Sequence, residues 1–132
     1  MLKEINIETH NRIQMIPITG EVESVVAESR VREGTCLVWV PHTTAAVTIN
    51  ENADPTVIRD ILHTTGKVFP LDDHFHHLEG NSDAHIKSSL FGPSLSLIVT
   101  GGRLLLGTWQ SLYFCEFDGP RTRHYFVKVL EG

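Results

Sequence analysis

The chain has 132 residues, the length of one ordinary domain, and its 41% hydrophobic and 20% charged residues suffice to bury a core. That composition excludes a disordered chain, a low-complexity scaffold and a fibrous repeat. A formal charge of −5 with no Lys/Arg-rich run argues against nonspecific nucleic-acid binding, which depends on neutralising phosphates. A small anionic metabolite needs only two or three placed cations and stays within reach.

Leu2, Ile5 and Ile7, then Ile13, Met15, Ile16 and Ile18, read as two short strands around a polar turn at His10-Asn11. Thr19 is the expected N-cap of a first helix, with Glu21 and Glu23 in its first turn, where the helix dipole favours acids. Val22, Val25 and Val26 follow at helical spacing, and Gly34 is the expected stop. Residues 35–40 form a β-type run, broken by Pro41-His42-Thr43-Thr44, and 45–49 alternate as a strand. The second helix has the strongest local signals: Asp54 as N-cap, Pro55 at the first helical position, and Gly66 as a left-handed end. Between them Val57, Ile58, Ile61 and Leu62 make one apolar face.

Residues 67–82 are polar and irregular. A short helix is predicted over 83–90, capped by Ser82 or Asp83 and broken at Gly92-Pro93. The last third reads as strands at 95–100, 103–106, 111–117 and 124–130, with a tight hairpin at Gly101-Gly102 and a turn at Asp118-Gly119-Pro120. Strands at both ends with few crossover helices predict an α+β fold. The expected architecture is one compact domain over 1–132, with mainly antiparallel, sandwich-like sheet and two or three helices.

Cys36 and Cys115 lie in apolar stretches outside any Cys-x-x-Cys pair and are expected as buried free thiols in a reducing compartment. The N-terminus shows no apolar signal core, and the longest uncharged stretch, Gly34 to Asn50, is interrupted by Pro41 and His42. A cytoplasmic protein with no membrane or nucleic-acid partner is the expectation.

Five of the eight histidines (His63, His74, His76, His77, His85) fall between residues 63 and 85, and His42 ends a hydrophobic strand. Imidazole is both the commonest metal ligand and a neutral-pH acid or base. Three imidazoles with an open fourth position would suit a catalytic zinc-type site, although these spacings form no local motif such as His-Glu-x-x-His. Solvated loop histidines are the plain alternative. On the third helix His85 and Ser89 share a face, with Ser88 close by, and Lys87 adds a cation suited to phosphate oxygens. A capped surface helix would look the same.

Thr43 and Asn50-Glu51 flank one short strand. Glu51 is a candidate metal ligand, histidine-orienting group or general base. After a later apolar strand come Gly107-Thr108-Trp109-Gln110, in which Trp109 is suited to stacking on a heteroaromatic ring and Gln110 to reading its edge. A core or subunit-interface tryptophan is the alternative. Arg121 and Arg123 are candidate phosphate or carboxylate clamps. No Gly-x-Gly-x-x-Gly, Walker loop or nucleophile elbow occurs.

Together, His42-Thr43-Thr44-Ala45, Asn50-Glu51-Asn52-Ala53-Asp54-Pro55, His77, Glu79-Gly80, His85-Ile86-Lys87-Ser88-Ser89, Gly92, Gly107-Thr108-Trp109-Gln110 and Arg123 resemble the YjbQ-like family, described as secondary thiamine-phosphate synthases. The resemblance runs from about residue 10 to 131. It implies a compact α+β subunit in a homotrimer, with active sites near subunit boundaries. It selects His42, His77 and His85 as metal ligands or acid–base groups alongside Glu51, and a divalent metal, zinc or magnesium, as cofactor. Thr43, Asn50, Lys87, Ser89, Thr108, Trp109, Gln110 and Arg123 become the implied substrate-binding set.

The implied reaction joins hydroxymethylpyrimidine diphosphate to a phosphorylated thiazole, with Lys87, Arg123 and metal neutralising the leaving diphosphate. The word "secondary" leaves room for a side activity of a site built for another substrate. Two other readings share these residues: a metal-dependent hydrolase with Glu51 as base, and a non-enzymatic trimer whose histidines bind a ligand or metal.

Overall fold

Arg123, Tyr125, Val127 and Val129 are buried at alternate positions of the last strand, and the molecule is built on the face they share. In the computed structural model, which describes residues 1–132, the elements run β1 (Leu2–Glu8), β2 (Gln14–Pro17), α1 (Thr19–Ser29), β3 (Gly34–Trp39), β4 (Ala45–Glu51) and α2 (Pro55–Val68). They continue with α3 (Ser82–Phe91), β5 (Ser94–Thr100), β6 (Arg103–Leu104), β7 (Gln110–Glu116) and β8 (Thr122–Glu131). One sheet has the order β1-β8-β3-β5-β6 and the other β2-β7-β4. Every pairing is antiparallel. This is the expected α+β architecture, with three helices.

The inner faces of the two sheets and one side of α1 enclose the main core, which includes Val22, Val26, Val38, Val47, Leu112, Phe114, Tyr125 and Val127. A second cluster of Met15, Ala46, Ala84, Tyr113, Cys115 and Phe117 lies on the opposite face of the three-stranded sheet. Ile58, Ile61 and Leu62 of α2 and Phe91 of α3 pack over it. β7 is therefore covered on both faces, which is why 111–117 reads as an unbroken apolar run. Cys36 and Cys115 are buried and unbonded, one in each cluster, and burial pushes both thiols up, Cys36 to about 11. No helix is long and apolar enough to cross a membrane.

Helix termini differ from the sequence reading wherever a long-range partner takes over. Thr19 does not cap α1; its Oγ1 meets Ser111 Oγ at 2.6 Å and accepts the Leu112 amide at 2.8 Å, tying the helix start to β7. α1 stops at Arg30, which takes the left-handed conformation itself (φ 60°), and Gly34 opens β3 instead. Asp54 does cap α2, accepting the Thr56 amide at 2.9 Å, but Gly66 lies inside the helix, which runs to Val68. The third helix has Asn81 at its N-cap position, and the Asn81 side chain donates to Asp118 rather than to the helix.

Gly34 is fixed by close approach, because a Cβ there would run into the Leu130 carbonyl oxygen and come within 2.9 Å of Val31 Cγ1. Gly34→Ala is expected to destabilise the fold by about 2 kcal/mol or more, since the β8 backbone has to move. Thermal denaturation reads this as a lowered Tm; an unchanged Tm would mean that β3 and β8 can separate freely at this point.

Candidate active site

The site starts from a buried charge pair. β7 ends, β8 begins and β4 begins at the same edge, which brings Glu116, Arg123 and Thr44 together. Glu116 is fully buried and Arg123 is 3% exposed. Arg123 Nε donates to Glu116 Oε1 at 2.9 Å, and its Nη2 donates to Glu116 Oε2 and to Thr44 Oγ1 at 2.8 Å. Glu116 also accepts from Thr9 Oγ1 at 2.8 Å and from the Asp118 amide at 3.0 Å. Burial alone would raise the Glu116 carboxyl, but the hydrogen bonds from Arg123, Asp118 and Thr9 outweigh it and hold the group below the usual range.

Above this pair, the β3–β4 loop carries His42 and Thr43 to the rim of a pocket of about 390 Å³ that also takes His85, Ser88 and Ser89 from α3. His42 Nε2 lies 3.0 Å from the His124 carbonyl oxygen and 3.2 Å from its amide nitrogen. Burial first, then the nearby Arg123 charge, lower the His42 pKa and keep the ring neutral at neutral pH. The Ser88 hydroxyl is buried and has no partner in the chain. Ser89, also in the lining, commits its one hydroxyl proton to the His85 carbonyl at 2.8 Å. No carboxylate lines this cavity.

His77 stands outside the lining, with its ring edge-on to His85 at 5.3 Å and its Nε2 3.9 Å from Glu79. The three selected imidazoles thus occupy one neighbourhood, but nowhere in the chain do three or more His, Cys, Asp or Glu side chains converge closely enough to hold a metal ion. The donor type suits a divalent ion such as zinc; the placement within one chain does not.

The two cations expected at a leaving diphosphate are not surface groups. Lys87 is 2% exposed and pairs with Asp83 at 3.4 Å, one helical turn away. Asp83 is in turn gripped by both guanidinium nitrogens of Arg12, at 3.0 and 3.1 Å, and its carboxyl is held low by Arg12 and Lys87 despite burial. Arg123 is committed to Glu116. Both lie beneath the pocket surface, because each sits on the inward face of its element.

The rest of the predicted set lies at the far end of β4. Glu51 is opposite Gln110 in the β4–β7 ladder. Thr108, Trp109 and Gln110 line a separate cavity of about 370 Å³ with Thr19, Asn52 and Ser111. Trp109 is 62% exposed and so is no core residue of the chain. Gln110 Oε1 accepts the Gly107 amide at 2.8 Å. Asn50 faces a third cavity, of about 340 Å³, beneath α2. From Ala45 to Glu51 a strand spans about 20 Å, so one chain keeps the His42 and Trp109 groups apart.

Sequence reading passed over Glu116 and the backbone of His124. Only Glu116 left a trace, as the one acid inside an apolar strand, which demands a buried partner.

The family model described as UPF0047 protein YjbQ-like matches residues 3–132. The chain belongs to the YjbQ/UPF0047 family. It is 51% identical over 131 residues to the UPF0047 protein YugU of Bacillus subtilis, covering 98% of this chain and 99% of that one. A UPF0047 protein of Methanocaldococcus jannaschii is 50% identical over 130 residues, covering 98% of this chain and 94% of its own. The crystal structure of an uncharacterized YjbQ/UPF0047 protein from Clostridium acetobutylicum superposes with a TM-score of 0.96 at 54% identity, over 97% of this chain and 99% of that one. A protein of unknown function from Sulfolobus solfataricus gives 0.96 at 31% identity, over 100% and 97%. The YjbQ/UPF0047 fold thus persists while most of the sequence changes.

Glu116→Ala strands a buried guanidinium and is expected to destabilise the protein by about 3–5 kcal/mol in urea denaturation. The Glu116 carboxyl is lowered in the native state, so its contribution is complete above the ordinary carboxylate range and is lost as pH falls through the native value. The lowered His42 acts in the same direction: below about 6.5 the unfolded chain takes up the proton first, and stability declines as pH drops. A stability profile that stays flat from neutral pH into the acid range would contradict both assignments.

Proposed function

We propose that the His42–His85 pocket performs acid–base chemistry on a small phosphorylated substrate, and that the transfer implied by the family resemblance, thiamine-phosphate formation, takes place there. One observation carries this reading. The cavity combines two imidazoles with the hydroxyls of Thr43 and Ser88, has no carboxylate in its lining, and leaves the buried Ser88 hydroxyl without a partner. Such a donor-rich, acid-free cavity favours anionic oxygens over cations.

In the transfer, the bond from the pyrimidine methylene carbon to the diphosphate oxygen breaks, and its electron pair leaves on oxygen. The thiazole nitrogen lone pair forms the new carbon–nitrogen bond, and no proton is consumed in the bond exchange. Imidazole N–H and hydroxyl donors from His85, Ser88 and Thr43 hold the departing oxygens. Neutral His42 exchanges a proton with a departing diphosphate oxygen and consumes none overall. Arg123 acts through the loop, fixing Thr44 and with it His42. Within one chain β4 sets Glu51, the base of the hydrolase reading, about 20 Å away from this pocket.

Supplying the two phosphorylated precursors to the purified protein should yield thiamine phosphate and diphosphate, with His85→Ala at least about tenfold slower. No product above the His85→Ala background would sink the named reaction.

The homotrimer implied by the resemblance enters the same reading. The outer face of the five-stranded sheet is uncovered and shows Trp39, Ile98 and Leu130, while Trp109 stands exposed at the far end of the other sheet. We propose that copies associate and that the Trp109 group of one faces the His42 group of the next. Light scattering should then give about three times the subunit mass of 14.8 kDa. Mixed assemblies of His85→Ala and Trp109→Ala subunits should regain activity that neither has alone. Failure of the mixture to recover would place each site within a single chain.

A further inference from the structure

Pro41 creates a gap in the central sheet, and His42 fills it. β3 pairs with β8 up to Trp39 opposite Phe126, and continuing that register by two residues sets Pro41 opposite His124. The intervening Val40 already turns its amide to the other side, donating to the Pro93 oxygen at 2.7 Å, so residue 41 is the one whose backbone faces β8. Proline has no N–H to give. The His124 carbonyl and amide are left facing the end of β3, and His42 Nε2 reaches both, at 3.0 and 3.2 Å.

This arrangement differs from an ordinary histidine anchor, which offers one partner and fixes one tautomer. Here Nε2 donates to the carbonyl when it bears the proton and accepts from the amide when it does not. The other ring nitrogen, Nδ1, has no partner in the chain, and the ring lines the pocket. We infer that the backbone of His124 is a two-way cradle, in which His42 keeps its position in either tautomer so that Nδ1 can act as acceptor or donor toward the pocket without ring movement. Pro41 is the positioning residue that leaves the cradle open.

The inference rests on reading the pocket as an acid–base site and goes beyond it by naming the working nitrogen. It also makes Nε2 the wrong atom for a metal. The charged and titratable groups around the ring are Arg123 and the His124 side chain on β8, Glu116 on β7 and His85 on α3, with Glu4 of β1 standing 3.7 Å from His124 Nε2. The His124 ring touches His42 edge-on at 4.9 Å, so ring and backbone contributions can be separated by mutation.

The test is the nitrogen-15 spectrum of ring-labelled histidine in the full chain at neutral pH. Both His42 nitrogens should share the proton in the parent protein; a single tautomer at every neutral pH would overturn the cradle. Pro41→Ala restores an amide that competes for the His124 carbonyl, and should shift His42 toward the form protonated on Nδ1. An unchanged mixture in a folded Pro41→Ala would equally overturn it, and if that variant does not fold, the parent spectrum decides alone. His124→Ala, which keeps the backbone, should leave the mixture unchanged; a shift there would assign the effect to the ring. A blank transfer assay with a mixed tautomer signal retires the reaction and keeps the cradle.

Discussion

The buried pair of Glu116 and Arg123 is the constraint on which the His42 end of the molecule depends. Neither charge can be hydrated, so each must be satisfied by the other and by the groups around it: Thr9 from the β1 end, the Asp118 amide after β7, and Thr44 at the start of β4. One ion pair thereby fixes the relative position of four chain segments from both sheets. The His42 loop is one of them, and its geometry follows from the pair's demand for hydrogen bonds. The Asp83 cluster does the same for α3, where Arg12 and Lys87 hold the inner face of the helix that presents His85 and Ser88 outward. Two internal charge centres, one beneath each wall, make the pocket rigid without contributing charge to its surface.

Strand geometry then governs what one subunit can do. β4 runs from the His42 pocket to the Glu51–Gln110 pairing, and its length separates residues that the linear motif order makes look like one site. The same strand is covered by core on one face and by α2 and α3 on the other, so it cannot bend to bring its ends together. Any chemistry that requires both groups has to be arranged by contact between molecules.

Most of the fold was legible because its signals are local or periodic: the β8 alternation, the Asp54-Pro55 helix start, the Gly101-Gly102 hairpin. The errors have one cause in common. Thr19, Gly34, Gly66 and Asp83 all have strong local meanings, and at each a partner distant in sequence, or continued helix, overrode them. The site shows the same limit. The crowding of histidines between 63 and 85 marks the neighbourhood without choosing among them: His63, His74, His76 and His77 are exposed, while the pocket pairs His42 with His85 across the sequence. Lys87 and Arg123 read as phosphate cations because exposure is not written in residue type. Pro41 read only as a strand breaker, and its register opposite His124 emerges from the sheet alone.

α2 adds a different consequence. Its apolar face rests on the second cluster, yet none of its residues is fully buried, and a cavity remains beneath it. Helices in proteins draw most of their stability from such packing rather than from intrinsic propensity. The molecule is therefore thermodynamically uneven. The paired sheets are expected to open only with global unfolding, and α2 at a smaller local free energy that depends on whatever lies against its free side. Its amide protection serves as an internal gauge of that contact, rising when another molecule or ligand covers the helix while the core protection stays unchanged.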